Sequence, residues 1–463
     1  MAIIQSGLDS TVATVDATTK ALYTKSQGIT EVAFNQDNFT MDSFERLRVS
    51  DQRIAFEYSF NAQTPTLATT LWEVGTVGAG TAEALTTNLY GVNLTQPVTT
   101  SVGRWIQSIN HIRYAPGIST LFRFTFNMNT TGAFQRMRVG MFTDQGTFPS
   151  TAGDGFYFEN AEGSLAFVRR YMTQGAGSEE RVLQANWNID KCNGTGASGF
   201  TLNMAMAQHL VVEYQFLGVG TIRFGFETGT EYGVIWAHEM VSVNTIAESW
   251  SRTGSLPVRA ETYNTGVAAI SNFTLINCVV IQEGDVSDLR GWRYFGGNSS
   301  ATGKTGGTAI GLYPLLSLRA ASTNDLTKRA RIIPTSITIA VVVVGTVGVT
   351  PIQVQLLMLP TPNTGATFGV TPGGSVTTID QAATATTAVT GTAIWSGIVP
   401  NAVGTYTFDL TTMNDNVNLI GYPAAGTVAI TGSSVLTLGA GPMVAAFTVA
   451  ATLAAAITWK EIV

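Results

Sequence analysis

Charged side chains are scarce in this chain of 463 residues: they make up 12 % of it, about half the usual share in soluble proteins. Intrinsic disorder is excluded, because a disordered chain combines many charges with few apolar side chains, and 45 % of these residues are hydrophobic. Glycine, threonine and valine are abundant, which favours strands and tight turns over exposed helices. We therefore expect an ordered, mostly β protein whose weakly charged surface is covered by partner subunits.

Runs of basic residues are missing as well. The densest basic group is KRAR at 328–331, which we interpret as a strand edge or an interface. Because no larger Lys/Arg patch stands out and the net charge is −6, no nucleic-acid partner is expected.

Cysteine is nearly absent, and the two present, Cys192 and Cys278, lie far apart in the sequence. Two such residues build neither a disulfide framework nor a zinc site, so we predict free, unreactive thiols, with one disulfide as the alternative.

Long hydrophobic runs of the kind that cross a bilayer are also missing. The N-terminus does not have the pattern of a secretory signal. The longest apolar stretches, 337–349 and 443–459, are respectively too short and too rich in threonine and small residues, so we expect buried strands and no membrane insertion.

What the chain does contain, from about residue 44 to 284, is a series of short segments that alternate apolar and polar side chains. Since successive side chains point to opposite faces of a strand, each segment predicts one apolar and one polar face. Such strands pair as antiparallel sheets that bury their apolar faces against each other, and we predict a large jelly-roll sandwich of the concanavalin-like kind. The clearest segments are LFRFTFNM (121–128), QRMRVGMF (135–142), HLVVEYQF (209–216) and TIRFGFE (221–227).

The predicted fold class is all-β, with four parts. An N-terminal arm covers 1–45, the jelly roll 46–288, a Gly/Ser-rich linker 289–310, and a second β-sandwich 311–463. After Arg331 there is no Lys or Arg until Lys460. Such an uncharged domain would be poorly soluble on its own, so we expect much of its surface to meet other chains.

The stretch NWNIDKCNGTG at 186–196 is the first candidate site. Calcium needs six to eight oxygen ligands, usually with several carboxylates, and Asp190 is the only carboxylate here. We predict a structured turn anchored in the core by Trp187, whose N–H is hydrogen-bonded, with a metal site or a ligand contact as alternatives.

The best enzymatic candidates are Glu227 and Glu231, which flank a turn, with Glu239 near them. Retaining glycosidases use two carboxylates about 5 Å apart. The ETGTE spacing does not match the E-x-D-x-x-E pattern of glycosidases with this fold, so a solvated hairpin end is favoured. The three histidines, His111, His209 and His238, lack a second ligand at metal spacing.

Two further patterns are weaker. GNSSATGKT at 297–305 imitates a phosphate-binding loop but has five residues between its glycines instead of four, so no nucleotide is expected.

We expect most tryptophans in the core, although an exposed one would stack on sugars. The tryptophans considered are Trp72, Trp105, Trp187 and Trp236. No catalytic residue, metal or cofactor is therefore predicted, and ligand-binding residues are left open.

Residues 182–227 carry a family resemblance. The NWN-x-D-x-x-x-GTG-x-SG loop, the apolar strand and the FLGVGTIRFG hairpin resemble a segment of structural proteins from tailed-bacteriophage virions. The stretches 42–50, 111–117 and 256–266 fit as well, and the likeness covers about 35–290. It implies no catalytic residues, and it implies that the GTG loop is a feature of the fold.

The resemblance implies a non-enzymatic virion protein on the particle exterior, as a tail, baseplate or fibre component assembled in the bacterial cytoplasm. Its expected partners are other virion proteins and further copies of itself, with host surface polysaccharide as a secondary expectation. One alternative is a capsid decoration or head-fibre protein. Others are a glycan-binding adhesin, or a glycan-degrading enzyme that uses Glu227 and Glu231.

Overall fold

The computed structural model describes part of the chain in detail. The described residues are 2–5, 12–15, 22–24, 52–60, 71–77, 86–88, 90–96, 101–108, 111–129, 132–144, 152–173, 175–228, 233–241, 244–267, 271–284, 292–298, 304–305, 307–320, 331–344, 350–361, 368–370, 372, 375, 377–380, 388–411, 435–444, 446–447, 449–462. The chain divides into unit 1 (residues 1–108 and 112–286) and unit 2 (109–111 and 287–463).

Unit 1 begins with three short strands, β1 Ala2–Gln5, β2 Val12–Val15 and β3 Leu22–Thr24, which pair antiparallel in the order β1-β2-β3. They fall in the segment predicted as an arm, 1–45. Valine and threonine are strand-forming residues, and they recur in these short stretches. The assignment of 1–45 to an arm remains a prediction.

The remaining strands of unit 1 are short and follow one another closely. They are β4 Gln52–Ser59, β5 Trp72–Val77, β6 Thr86–Asn88, β7 Gly91–Gln96, β8 Gly103–Ser108, β9 Thr120–Asn127, β10 Gln135–Phe142, β11 Gly155–Ala161, β12 Ser164–Tyr171, β13 Ser178–Leu183, β14 Gln208–Tyr214, β15 Ile222–Glu227, β16 Val234–Met240, β17 Val258–Asn264 and β18 Ser271–Glu283. A single 3₁₀ turn, Gln184–Asn186, follows β13.

These strands form two antiparallel sheets. One has seven strands in the order β13-β12-β11-β10-β17-β8-β5. The other has eight, in the order β16-β15-β14-β9-β18-β7-β6, with β4 also paired to β18. This confirms the predicted all-β fold class and the jelly-roll sandwich of unit 1.

The core of unit 1 lies between the apolar faces of the two sheets. Phe122, Phe124 and Phe126 of β9 and Met137 and Val139 of β10 are at most 1 % exposed. Their spacing of two residues is the alternation seen in the sequence, so the predicted segments 121–128 and 135–142 correspond to β9 and β10 within one residue.

The hairpin between β14 and β15 confirms another prediction. Its strands match the segments predicted at 209–216 and 221–227, although β14 ends earlier, at Tyr214. Gly218 adopts a φ of 80°, in the left-handed region where a side chain is unfavourable, and the Gly220 N–H donates to the Phe216 carbonyl over 2.8 Å. The turn chemistry therefore sets the register of this hairpin.

Unit 2 is a second β-sandwich. Its strands are β19 Trp292–Gly297, β20 Lys304–Thr305, β21 Tyr313–Ala320, β22 Arg331–Val343, β23 Ile352–Thr361, β24 Phe368–Val370, β25 Thr377–Asp380, β26 Thr390–Val399, β27 Gly404–Asp409, β28 Val435–Pro442 and β29 Thr452–Ile462. One sheet has the order β19-β29-β22-β27, with β20 also on β29, and the other has the order β24-β25-β21-β28-β23-β26. Ile337, Leu356, Leu438 and Trp459 belong to the core shared by both sheets.

The segment predicted as a linker, 289–310, contains β19 and β20. The four residues Trp-Arg-Tyr-Phe after Gly291 carry strand-forming side chains, and Tyr294 stacks on Trp459 of β29 with 6.2 Å between ring centroids. The Gly/Ser content of the segment is typical of a loop, whereas its first half pairs with β29 and is packed against the sheet by Tyr294.

Both long apolar stretches contribute strands of unit 2, as predicted. The stretch 337–349 begins within β22, and the stretch 443–459 ends within β29, which alternates buried and half-buried residues throughout. Among the described residues, no helix has the length and hydropathy needed to span a membrane.

Candidate functional site

The loop at 186–196 is stabilised by hydrogen bonds within the motif. These bonds reach as far as Ser198, just after the loop. The Asp190 carboxylate accepts the backbone N–H of Cys192 over 2.7 Å and that of Ser198 over 2.8 Å. Although burial favours the neutral acid, these N–H groups lower the pKa of Asp190. A Cβ on Gly196 would lie 2.1 Å from Oδ1 of Asp190, so glycine is required there. The prediction of a structured turn is confirmed.

Trp187 and Asn188 fasten this loop to unit 1. The Trp187 indole is 3 % exposed, stacks on Phe167 at 4.3 Å, and donates its N–H to the Val182 carbonyl over 3.2 Å. The Asn188 side chain donates to the Glu239 carbonyl and accepts the Glu239 N–H, at 3.0 and 2.9 Å. The conspicuous residues of the motif therefore have structural roles.

Two titratable side chains, one beside this loop and one within it, have pKa values shifted so that both are uncharged at neutral pH. Nδ1 of His238 accepts the N–H of Asn188 over 3.1 Å, and burial lowers the pKa of His238 to about 4. Burial raises the pKa of the Cys192 thiol to about 12, with the neighbouring Asp190 adding to the rise. Cys192 and Cys278 are both buried and free, as predicted.

The carboxylates predicted as an enzymatic option belong to ion pairs. Oε2 of Glu227 lies 3.2 Å from Nη1 of Arg123 and 3.2 Å from Nδ1 of His209. Burial lowers the pKa of His209 despite this carboxylate. Glu239 pairs with Nε of Arg223 over 2.6 Å. Glu231 lies outside the described residues, as does most of the phosphate-loop imitation at 297–305.

Three of the four tryptophans considered for sugar stacking are core residues. Trp72, Trp187 and Trp236 are 3 %, 3 % and 7 % exposed, as predicted for a sandwich. Trp105 is half-buried and stands on the other face of the seven-stranded sheet, where the Arg259 guanidinium lies 4.6 Å from its ring. His111, the remaining histidine, is buried.

That face of the seven-stranded sheet, which points away from the core, carries a network of charges that we call the charged face. Arg138 of β10 is central: its Nε donates to Glu159 of β11 over 2.8 Å, and its Nη1 donates to Glu261 of β17 over 2.9 Å. Nε of Arg259 donates to the other oxygen of Glu261 over 2.8 Å. The network has four arginines and four acids, namely Arg138, Arg170, Arg181, Arg259, Asp144, Glu159, Glu179 and Glu261.

Aromatic rings cover these charges. The guanidinium of Arg138 lies 5.1 Å from the centroid of the Tyr157 ring, and that of Arg170 lies 5.3 Å from Tyr157 and from Phe142. The side chains of Glu159 and Arg170 are not exposed at all. The polar face predicted for 135–142 is therefore buried at Arg138, because flat guanidinium groups pack on rings while their donors remain paired with carboxylates.

Asp144 differs from the other acids of the charged face. Its carboxylate is 5 % exposed and lies 3.6 Å from Nη2 of Arg259 and 3.9 Å from Nη1 of Arg170, and neither oxygen accepts a hydrogen bond from a described residue. Burial, and then the nearby Glu261, raise the pKa of Asp144 to about 6. Burial also acts to raise the pKa of Glu261, but the charges of Arg259 and Arg138 outweigh burial, so the pKa of Glu261 is lowered.

Sequence reasoning missed the charged face because its members come from five strands and one loop. Arg138 and Glu261 are 123 residues apart in the sequence and become neighbours only because β10 pairs with β17. The available signal was acids and arginines at alternate positions of several strands, as in Arg259 and Glu261. Alternation shows that a polar face exists, but it does not show whether that face is buried.

The described residues contain no group of three or more His, Cys, Asp or Glu side chains arranged to hold a metal ion. The charged face is an ion-pair network in which one carboxyl, that of Asp144, has its pKa raised to about 6.

No family model matches the chain, and no curated protein matches it either. Among solved structures, the endo-1,3-beta-glucanase of Streptomyces sioyaensis is 11 % identical, with 50 % of this chain and 97 % of that chain covered and a TM-score of 0.33. The Emp47p carbohydrate recognition domain is 11 % identical, covering 50 % and 97 %, with a TM-score of 0.30. The Bacillus licheniformis beta-glucanase is 12 % identical, covering 50 % and 98 %, also at 0.30. These low scores and identities assign no role to any residue of this chain.

Proposed function

We propose that this chain is a non-enzymatic structural protein of a tailed-phage virion, placed on the particle exterior as a tail, baseplate or fibre component. The assignment to phages is supported by the resemblance of residues 182–227 to virion proteins. The structural role is supported by one observation above all: unit 2 exposes large apolar side chains on a sandwich that is almost free of charge.

The surface of unit 2 is unusual for a protein that stays alone in solution. Trp292 and Phe295 are 77 % and 78 % exposed, and Val444 is 67 % exposed. From residue 332 to 459 the sequence has only three charged residues, Asp380, Asp409 and Asp415. Exposed apolar surface with so little charge is typical of interfaces with other proteins.

Unit 1 supports the same proposal from its chemistry. Glu159, Glu179 and Glu261 of the charged face are paired with arginines, Glu227 and Glu239 also belong to ion pairs, and Asp190 of the loop at 186–196 binds backbone N–H groups of its own segment. Removing one partner of a buried ion pair is strongly destabilising, so these pairs link specific strands of the fold.

The test is immunogold labelling of purified particles with an antibody against this chain. Gold at the tail tip or on fibres is the expected result. Gold spread over the head would support the capsid-decoration alternative instead. Purified particles that carry none of the protein would overturn the proposal.

A second function, hydrolysis of glycans, is favoured by a specific pair of groups. Asp144 has its pKa raised to about 6, whereas the pKa of Glu261 is lowered, and acid and base roles in enzymes depend on such a difference. Against this function, the Glu261 side chain is 2 % exposed and holds Arg138 and Arg259. Substrate would have to displace these partners.

The hydrolysis test is the release of reducing ends from host surface polysaccharide, with the wild type beside Asp144→Asn and a Glu227→Gln, Glu231→Gln double variant. Loss of activity in Asp144→Asn alone would assign the reaction to the charged face. Loss in the double variant alone would assign it to the hairpin carboxylates. No release by the wild type is the result expected from a structural protein.

A further inference from the structure

The strand β19 is an edge of its sheet. Among the described strands it pairs only with β29, through the register Trp292 to Glu461, Arg293 to Lys460 and Phe295 to Thr458. An edge strand presents unpaired backbone donors and acceptors, and proteins usually protect such strands with charge, proline or bulges. The register of β19 against β29 has no bulge, and the strand contains no proline.

The side chains of β19 are those of a binding surface. Trp292, Arg293 and Phe295 are all exposed, with the two aromatic residues at 77 % and 78 %. Trp and Arg are among the residue types that contribute most to protein interfaces, and it is costly to leave a largely exposed Trp and Phe on one short strand in water. No described residue forms an ion pair with Arg293.

The order of these side chains fits a second copy of the same strand. Arg293 and Phe295 are two residues apart and share one face of β19. If two β19 strands pair antiparallel about an axis through Tyr294, each Arg293 lies opposite the Phe295 of the other copy. Directly opposite side chains are about 5 Å apart, which is close enough for a cation–π contact. The same register puts Trp292 opposite Gly296, which has no side chain to oppose it.

We propose that β19 pairs with β19 of a second copy, in antiparallel register centred on Tyr294, so that two unit 2 sheets form one continuous sheet. This inference deepens the proposed function, and it rests on its assembly role, because it names the first contact between subunits. The two Arg293–Phe295 contacts oppose no like charges, so the interface is complementary to itself, as two-fold symmetry demands.

The experiment uses the purified full chain and two variants, Arg293→Glu and Phe295→Arg, whose molar masses are measured by sedimentation equilibrium. The wild type is expected to associate through β19. Each variant alone loses this association: Arg293→Glu removes both cation–π contacts, and Phe295→Arg places two like charges opposite each other. Mixed in equal amounts, the variants regain it, because the new carboxylate of one chain faces the new guanidinium of the other.

Val403→Glu is the matched control, since it introduces a charge at a site of unit 2 that is 69 % exposed and lies outside β19. This variant should associate like the wild type. Regained association in the mixture also proves that both β19 variants are folded. Trp292→Ser provides a further variant without a change of charge, and its association should be at least tenfold weaker.

A wild type that stays monomeric at every concentration would overturn the inference, and so would variants whose association equals that of the wild type. Association that is lost in both variants but not regained in the mixture would overturn the register. These outcomes are independent of particle labelling: a chain found on particles with monomeric purified protein keeps the proposed function and removes the β19 pairing.

Discussion

The two sandwiches of this protein differ in the number and the placement of their ionisable side chains. Unit 1 gathers four arginines and four acids on one sheet face, and aromatic rings cover Arg138, Arg170 and Arg259 among them. Unit 2 has three charged residues between 332 and 459 and leaves aromatic and aliphatic side chains in water. A buried network ties specific strands to each other, whereas an uncharged exposed surface is complementary to other protein surfaces. The ionisable side chains of unit 1 are therefore paired within one sheet, whereas the exposed apolar side chains of unit 2 are the feature that supports its proposed role in association.

The largest effect is expected at the centre of the charged face. Glu261→Gln removes the carboxylate shared by Arg138 and Arg259, so that each of these two buried guanidinium groups loses one of its counter-ions. Breaking such a pair costs about 3–5 kcal/mol of the free energy of unfolding of unit 1, measured by urea denaturation. Glu180→Gln is the control: its side chain is 46 % exposed and pairs with Arg169, so less than about 1 kcal/mol is expected. Equal losses in both variants would contradict the burial of the network.

The next effect is a pH dependence at Asp144. Its pKa is raised in the folded state from 3.8 to about 6, so the folded protein binds this proton more tightly than the unfolded chain does. The stabilisation is present below pH 4 and is lost as the pH rises to about 6, by about 3 kcal/mol. In Asp144→Asn the free energy of unfolding should not fall over this window. His238 acts with the opposite sign, because its pKa is lowered to about 4.

The free energy of unfolding is therefore measured against pH for the wild type and for Asp144→Asn, and one profile is subtracted from the other. The contribution of His238 is the same in both proteins and cancels in this difference. Parallel profiles between pH 4 and 6 would show that Asp144 titrates normally.

A smaller effect is expected in the loop at 186–196, which belongs to unit 1 but lies outside the charged face. Asp190→Ala leaves the N–H groups of Cys192 and Ser198 without their acceptor, at a cost of about 2 kcal/mol in urea denaturation. Asp190→Asn retains one acceptor oxygen and should recover about half of this loss. A Ca²⁺-dependent stability of the wild type would instead restore the metal alternative for this loop.

The smallest effect on folding is expected on the surface of unit 2. Val403→Ser changes a side chain that is 69 % exposed, so the free energy of unfolding should stay within about 0.5 kcal/mol of the wild type. Its neighbour Val399 is fully buried, and Val399→Ser should cost at least about 2 kcal/mol. Similar losses at both positions would mean that the exposed apolar surface of unit 2 also stabilises its fold.

Much of the fold was predictable because alternation is a local signal. The segments at 121–128 and 135–142 became β9 and β10, and the glycines at 218 and 220 became the predicted hairpin turn. The anchoring of the 186–196 loop by Trp187 followed from the same kind of local reasoning.

The site was less predictable, because the partners of Arg138 depend on which strands become neighbours. That order is set by the tertiary fold, which sequence alternation does not contain. The strand at Trp292–Gly297 is hard to predict for a different reason: the glycine and serine residues of 289–310 indicate a loop, whereas the side chains at 292–295 favour a strand.

The pairing of β19 with β29 has a consequence for the order of events during synthesis. Strand β19 leaves the ribosome more than 150 residues before its partner at Thr452–Ile462, so the edge that carries Trp292 and Phe295 has no sheet behind it until translation reaches β29. Long-range pairing of this kind is slow. A chain that stops early, or that is still being made, therefore lacks the partner strand of β19, and the proposed pairing of β19 with a second copy would be open only to finished molecules.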